Sequence, residues 1–268
     1  MAEKCAIELR KVSKTFGNVA ANDNIDLKIY KGEILSLLGE NGSGKTTLMN
    51  MLSGIYYPDS GQILVNGQQV TITSPRDAFE YGIGMIHQHF KLIDVLSAAE
   101  NVVLGLEGPA ILDLKAVSDR MSEIAQRYNF VMDPAKKVYD MSVSEKQTLE
   151  IIKVLYRGAD ILILDEPTAV LTPQETQRLF EILRAMKESG KAIVIITHKL
   201  HEVMELADRV CVLRKGCFVG ERQVSQVTPQ IMTDMMVGRA VTLNIDRPEP
   251  VDPEPRLKVR DLTVVNAE

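Results

Sequence analysis

Cysteine is scarce in this 268-residue sequence, with only Cys5, Cys211 and Cys217 present. Their odd count gives no complete disulfide framework and their spacing is not that of a metal knuckle. They read as free thiols of a reducing cytoplasm. There is no excess of basic charge either. Lysine and arginine total 31 against 36 aspartate and glutamate, a net charge of −5, so no strong positive field argues for nucleic acid. Long hydrophobic runs are missing: the longest, such as Ala192–Ile196, fall far short of the roughly 20 residues of a membrane span. The N-terminal "MAEKCAIELR" has no apolar stretch of signal-peptide length. With 45% hydrophobic and 25% charged residues, the composition is that of an ordinary soluble protein, one still able to dock on a membrane protein. The length admits one large α/β domain or two small ones.

Several apolar segments are present. Strands are expected at about 7–12 and 25–29, then a fully apolar one at 34–38, which leads into the glycine-rich "GENGSGK" and the amphipathic "TTLMNMLSG". Turn signals at 58–61 and at Asn66-Gly67 frame a hairpin. From Lys91 to Arg157 the periodicity becomes helical, with amphipathic runs at 98–106, 118–128 and 145–156. "ILIL" (161–164) and "AIVII" (192–196) are short and apolar throughout, as buried parallel strands are. A helix opens near Pro173, and "RVCVL" and "FVG" suggest a closing antiparallel pair before the methionine-rich "PQIMTDMMV". Proline-rich "DRPEPVDPEP" marks a linker. Beyond it, "LKVRDLTVVNAE" (257–268) repeats the apolar and charged pattern of "IELRKVSKTFGN" (7–18).

The chemistry-bearing motifs sit at the ends of these strands. Gly39–Thr46 fits G-x-x-x-x-G-K-[ST] between a buried strand and a helix. Its glycines let successive backbone N–H groups turn inward around phosphate oxygens, helped by the helix N-terminus. Lys45 is placed to neutralise the β and γ phosphates and Thr46 to supply a Mg²⁺ ligand. "ILILDEPT" then presents Asp165 toward that metal, directly or through water, with Glu166 placed to polarise an attacking water as general base. His198 ends another strand and could hold the water and Glu166 beside the γ-phosphate. Gln88, flanked by His87 and His89, also ends a strand. The two histidines have period-two spacing, but no cysteine or third histidine supports a metal pair.

Together these pieces resemble the ATP-binding subunits of ABC transporters over essentially the whole chain. The resemblance implies a P-loop α/β fold with a mostly parallel core sheet, an antiparallel β subdomain and a helical subdomain. It implies an ATP hydrolase that works on MgATP. Phe16 would stack on adenine. Gly39, Glu40, Asn41, Gly42, Ser43, Gly44, Lys45, Thr46 and Thr47 would wrap the phosphates. Thr46, Gln88 and Asp165 would attend Mg²⁺, and Glu166, His198 and Gln88 would serve the reaction. The signature segment is Met141–Glu145, with Ser142, Ser144 and Glu145 contacting the nucleotide of an opposing ATPase domain. Two departures stand out. "MSVSE" has Ser144 where the family has a second glycine, so a side chain could crowd that approach. "AVLT" has Thr172 in place of the usual aspartate. Ser142-x-x-Glu145 and Ser144-x-x-Gln147 also both read as capping boxes.

The finer resemblance is to the first half of fused tandem ATPases that energise import of ribose-type sugars or nucleosides. It divides the chain into a nucleotide-binding domain (1–245), a linker (246–256) and the opening strand of a truncated second domain (257–268). The partners implied are that second ATPase domain, integral membrane permease subunits and, indirectly, an extracytoplasmic substrate-binding protein, with no nucleic acid. The location implied is peripheral, on the cytoplasmic face of the plasma membrane. The rival reading is a soluble tandem ATPase of ribosomes or nucleic acid. The short proline-rich linker and the negative charge favour transport.

Overall fold

The computed structural model describes residues 4–106, 113–239 and 257–263. The first elements are long antiparallel strands β1 (Cys5–Phe16) and β2 (Val19–Tyr30), followed by β3 (Ile34–Leu38) and helix α1 (Lys45–Leu52). Then come β4 (Ser60–Val65), β5 (Gln68–Val70), helix α2 (Pro75–Glu80) and β6 (Ile83–Ile86). Three helices form the next block: α3 (Ala98–Val103), α4 (Leu114–Arg127) and α5 (Val143–Tyr156). The chain re-enters the sheet with β7 (Ile161–Asp165), α6 (Pro173–Glu188), β8 (Ala192–Ile196), α7 (Leu200–Leu206) and β9 (Arg209–Arg214). It closes with β10 (Cys217–Gln223) and α8 (Pro229–Val237).

Two sheets result. The core sheet runs β10-β9-β3-β8-β7-β6, and only β10 is antiparallel to its neighbour. The second is antiparallel, in the order β2-β1-β4-β5, with the Asn66-Gly67 turn joining its last hairpin. β3, β7 and β8 are buried at every position because both faces of the core sheet are covered. Leu162 and Leu164 of β7 pack with Phe180 and Leu183 of α6 and with the helical block, whereas Ile161 and Ile163 face α1 and the antiparallel sheet. Each such side chain contributes about 1.5–3 kcal/mol of burial.

The helical block is shorter in its helices than the periodicity from 91 to 157 suggests. Leu92–Ser97 and 131–137 are not helical, and Ser97 bridges Lys137 instead. Capping decides where the helices start. Ser97 with Glu100 opens α3, Asp113 caps α4, whose first residue Leu114 lies four residues ahead of the expected run, and Ser142 with Glu145 opens α5. Only one of the two capping boxes expected at 142–147 forms, because Ser144 already lies inside the helix. The strand at 7–12 extends to Phe16. Lys11 adopts φ +48° at a register shift, which breaks the alternation and conceals the continuation. Residues 257–263 are exposed and in no strand, while 240–256 and 264–268, including the expected linker, lie outside the described residues.

Candidate functional site

Parallel β3, β6, β7 and β8 all end at one edge of the core sheet, where such folds place ligands. The loops that leave this edge carry the motif residues into a cleft of about 550 Å³. Its wall runs from Asn41 through Thr47 and includes Gln88, Asp165, Glu166, Ala169 and His198.

The glycine-rich loop at 39–45 has no room for side chains at two of its glycines. A Cβ on Gly39 would lie 2.3 Å from the Leu213 carbonyl oxygen, and one on Gly44 (φ +98°) 2.2 Å from that of Ala21. Gly44 is also the N-cap of α1, where no side chain caps the helix, so the first N–H groups remain available to an anion. Lys45 is 7% exposed and donates to the Gly39 oxygen at 2.8 Å and the Glu40 oxygen at 2.9 Å. Burial lowers its pKa, opposed by the nearby carboxylates of Glu166 and Asp165.

Across the cleft, Thr46 Oγ1 donates to Asp165 Oδ2 at 3.4 Å. Burial and then Glu166 push the Asp165 carboxyl up, while the Thr46 hydroxyl and Lys45 hold it down. A bound cation would shift that balance toward the carboxylate. Glu166 sits in the left-handed region at φ +48°, pinned by its N–H donating to the Ile196 oxygen at 2.9 Å. His198 Nδ1 lies 2.9 Å from Glu166 Oε1, and an ionised Glu166 accepts from the Nδ1–H tautomer. Glu166 Oε2 is buried without a partner. A buried, unsatisfied acceptor beside an exposed histidine suits a site completed by something bound, such as a water.

Other residues singled out in the sequence lie outside the cleft wall. Phe16 does not line the cleft; it stands edge-on to Tyr56 at 5.1 Å, with the Lys14 ammonium 5.6 Å from its ring. Ser142, Ser144 and Glu145 line a separate surface groove with Val131, Gln174 and Arg178, and Glu145 pairs with Lys136 at 2.6 Å. His87 and His89 are not brought into a metal cluster: among the described residues no group of three or more His, Cys, Asp or Glu side chains could hold an ion.

Sequence reasoning missed several neighbours. Val19, Ala20 and Ala21 at the start of β2 line the cleft, and buried Asn22 donates to the Gly44 oxygen at 3.2 Å. Also missed is Glu202, 4% exposed, which accepts from Thr168 and Thr197. A signal existed for it: Glu202 lies one helical turn from Leu206 on the face that α7 buries.

Comparison with known proteins places this geometry in context. The ABC transporter family matches residues 22–169. A nucleoside import ATP-binding protein of Lactococcus lactis is 43% identical over 266 residues, which is 98% of this chain and 53% of that protein. A guanosine import ATP-binding protein of Bacillus subtilis is 47% identical over 243 residues (90% and 48%), and a ribose import ATP-binding protein of Caldanaerobacter subterraneus 41% over 261 (96% and 53%). The chain thus spans about half the length of these relatives. Among solved structures, a dimeric bacterial ABC transporter cassette superposes with a TM-score of 0.70 at 26% identity, over 81% of this chain and 98% of that one. An ABC transporter cassette in its ADP conformation shares the fold, with a TM-score of 0.77 at 21% identity over 88% of this chain and 99% of that one.

Proposed function

We propose, from the premise that this chain belongs to the ABC transporter family, that it binds and hydrolyses ATP to energise import of a nucleoside or simple sugar. One observation carries this reading. A single cleft gathers the buried Lys45, the Thr46–Asp165 contact, Gln88 and the Glu166–His198 pair beside the glycine-rich loop. Backbone N–H groups of the loop and Lys45 hold the phosphates; Lys45 exchanges its carbonyl contacts for phosphate oxygens. The Thr46 hydroxyl and Asp165 carboxylate, with Gln88 at the rim, are hard oxygen donors suited to Mg²⁺, which when bound would polarise the phosphoryl oxygens. Glu166 takes the proton of the attacking water, and His198 keeps its carboxylate turned into the cleft.

The groove holding Ser142 and Ser144 shares no lining residue with this chain's own cleft, which supports a sandwich in which each site joins the loop of one domain to the signature of another. Relatives about twice as long, and a tail at 257–268 patterned like β1, support a second ATPase domain as the partner. No helix among the described residues is long and apolar enough to cross a membrane. The likeness to import ATP-binding proteins supports separate permease subunits, fed by an extracytoplasmic binding protein, as carriers of the substrate, with this domain peripheral on the cytoplasmic face. The test is ATP turnover of the complex reconstituted in vesicles. Binding protein loaded with a nucleoside or with ribose should raise turnover severalfold; no stimulation by either class refutes the import reading.

A further inference from the structure

A buried polar cluster lies behind the Glu166–His198 pair, and none of the roles assigned above uses it. At its centre is the carboxylate of Glu202 on α7, 4% exposed. Thr168 Oγ1 donates to both of its oxygens, at 2.6 and 2.8 Å, and Thr197 Oγ1 donates to Oε2 at 3.3 Å. The Lys199 ammonium lies 3.1 Å from Oε1 and donates to the Thr168 backbone oxygen at 3.0 Å. The Lys199 N–H in turn donates to Thr197 Oγ1 at 3.1 Å. Thr168 follows Glu166 by two residues, and Thr197 immediately precedes His198. One carboxylate therefore grips both chain segments that carry the pair, one leaving β7 and the other leaving β8.

This grip matters because Glu166 is not held by its own backbone preference. A glutamate at φ +48° persists only where its surroundings over-determine it. The bond from Glu166 N–H to Ile196 fixes one side of the residue; the Thr168–Glu202 bonds fix the segment just beyond it. We propose that Glu202 is a positioning residue that holds Glu166 and His198 at their 2.9 Å separation through Thr168 and Thr197. This rests on the proposed hydrolysis at that pair and adds the device that sets its geometry.

The prediction separates positioning from bulk stability. In the intact complex, Glu202→Ala lowers kcat about tenfold to a hundredfold, as displaced reacting groups do, and leaves KM for ATP within about threefold. Glu202→Gln keeps an acceptor for Thr168 and recovers most of the loss. In a His198→Ala background the Glu202→Ala penalty largely disappears, because the geometry it guards is already gone. The same multiplicative loss in both backgrounds overturns the proposal. Should Glu202→Ala fail to fold, Thr168→Val, which cuts one tie and leaves the Lys199 pair, serves for the same comparison.

A second readout stands apart from turnover. The imidazole ¹⁵N resonance of His198 in the intact protein should move in the same direction for Thr168→Val and Glu202→Ala as for Glu166→Gln, and stay close to the wild-type position for Glu202→Gln. A resonance unmoved by Thr168→Val and Glu202→Ala overturns the positioning role. Absent hydrolysis by the wild-type complex refutes the functional reading alone, with the resonance still deciding the geometry.

Discussion

Replacing Lys45 by alanine strikes the cleft at its most buried cation. The ammonium lies 2.8 and 2.9 Å from the Gly39 and Glu40 carbonyl oxygens, at the mouth of the loop expected to hold the phosphates. A charge-assisted hydrogen bond contributes about 1.5–3 kcal/mol. Loss of one such bond to phosphate therefore weakens MgATP about tenfold to 150-fold. Two effects pull the other way. The ammonium must surrender its carbonyl contacts to reach the nucleotide, and alanine escapes the desolvation that lowers the Lys45 pKa. Both place the expected change in the lower half of that range. Lys45→Arg should rescue poorly, because a planar fork does not fit where a compact ammonium bridges two carbonyls. The assay is a calorimetric titration of MgATP into the wild-type and Lys45→Ala proteins, with thermal unfolding to show that the variant is intact. Affinities equal within twofold would refute the assignment of this loop.

Gln88→Ala should leave MgATP affinity within a few-fold yet reduce transport, since Gln88 lines the cleft where the core sheet passes toward the helical block and, on the proposed reading, would sense the nucleotide rather than anchor it; full transport by the variant would contradict this. Stability should fall in acid. Asp59 is held at about 2 by Lys14 and Thr15, Asp77 at about 2 by Thr73 and Ser74, and Glu100 at about 2 by the Ser97 N–H and Lys137. Each folded value lies below the ordinary 3.8 or 4.5, so the stabilisation is complete above the unfolded value and is lost as pH falls toward about 2. Urea midpoints should drop across that window, and Asp59→Asn, Asp77→Asn and Glu100→Gln together should flatten the drop; an unchanged pH profile in the triple variant would refute the attribution.

The parts of the fold most legible in the sequence were those with a single energetic demand. "AIVII" coincides with β8, and "ILIL" is one residue short of β7, because strands covered on both faces admit almost nothing but apolar residues. The glycine-rich turn was legible for a different reason: the glycines at 39 and 44 are demanded by close backbone approach, not by hydrophobicity. Short elements were harder. Helices α2 and α7 have six and seven residues, too few to establish a periodicity, and owe their existence to packing and, for α2, a Ser74–Asp77 capping box. Long-range relations were illegible. That Glu202 should accept from Thr168 depends on β7 and β8 lying side by side, which no local pattern reveals. Phe16 stands at the end of β1, with its ring edge-on against Tyr56.

The central claim is that Glu166 activates water in a site that binds MgATP without needing its charge. Glu166→Gln is nearly isosteric, and its Oε1 position can keep the 2.9 Å contact with His198. It cannot accept the water's proton, a loss worth roughly 10²–10⁴-fold in rate. The direct measurement is MgATP affinity and steady-state phosphate release for wild type and Glu166→Gln in the assembled complex, side by side. Unchanged affinity with turnover reduced by about two orders of magnitude or more is the predicted result; wild-type turnover from the glutamine variant would contradict it.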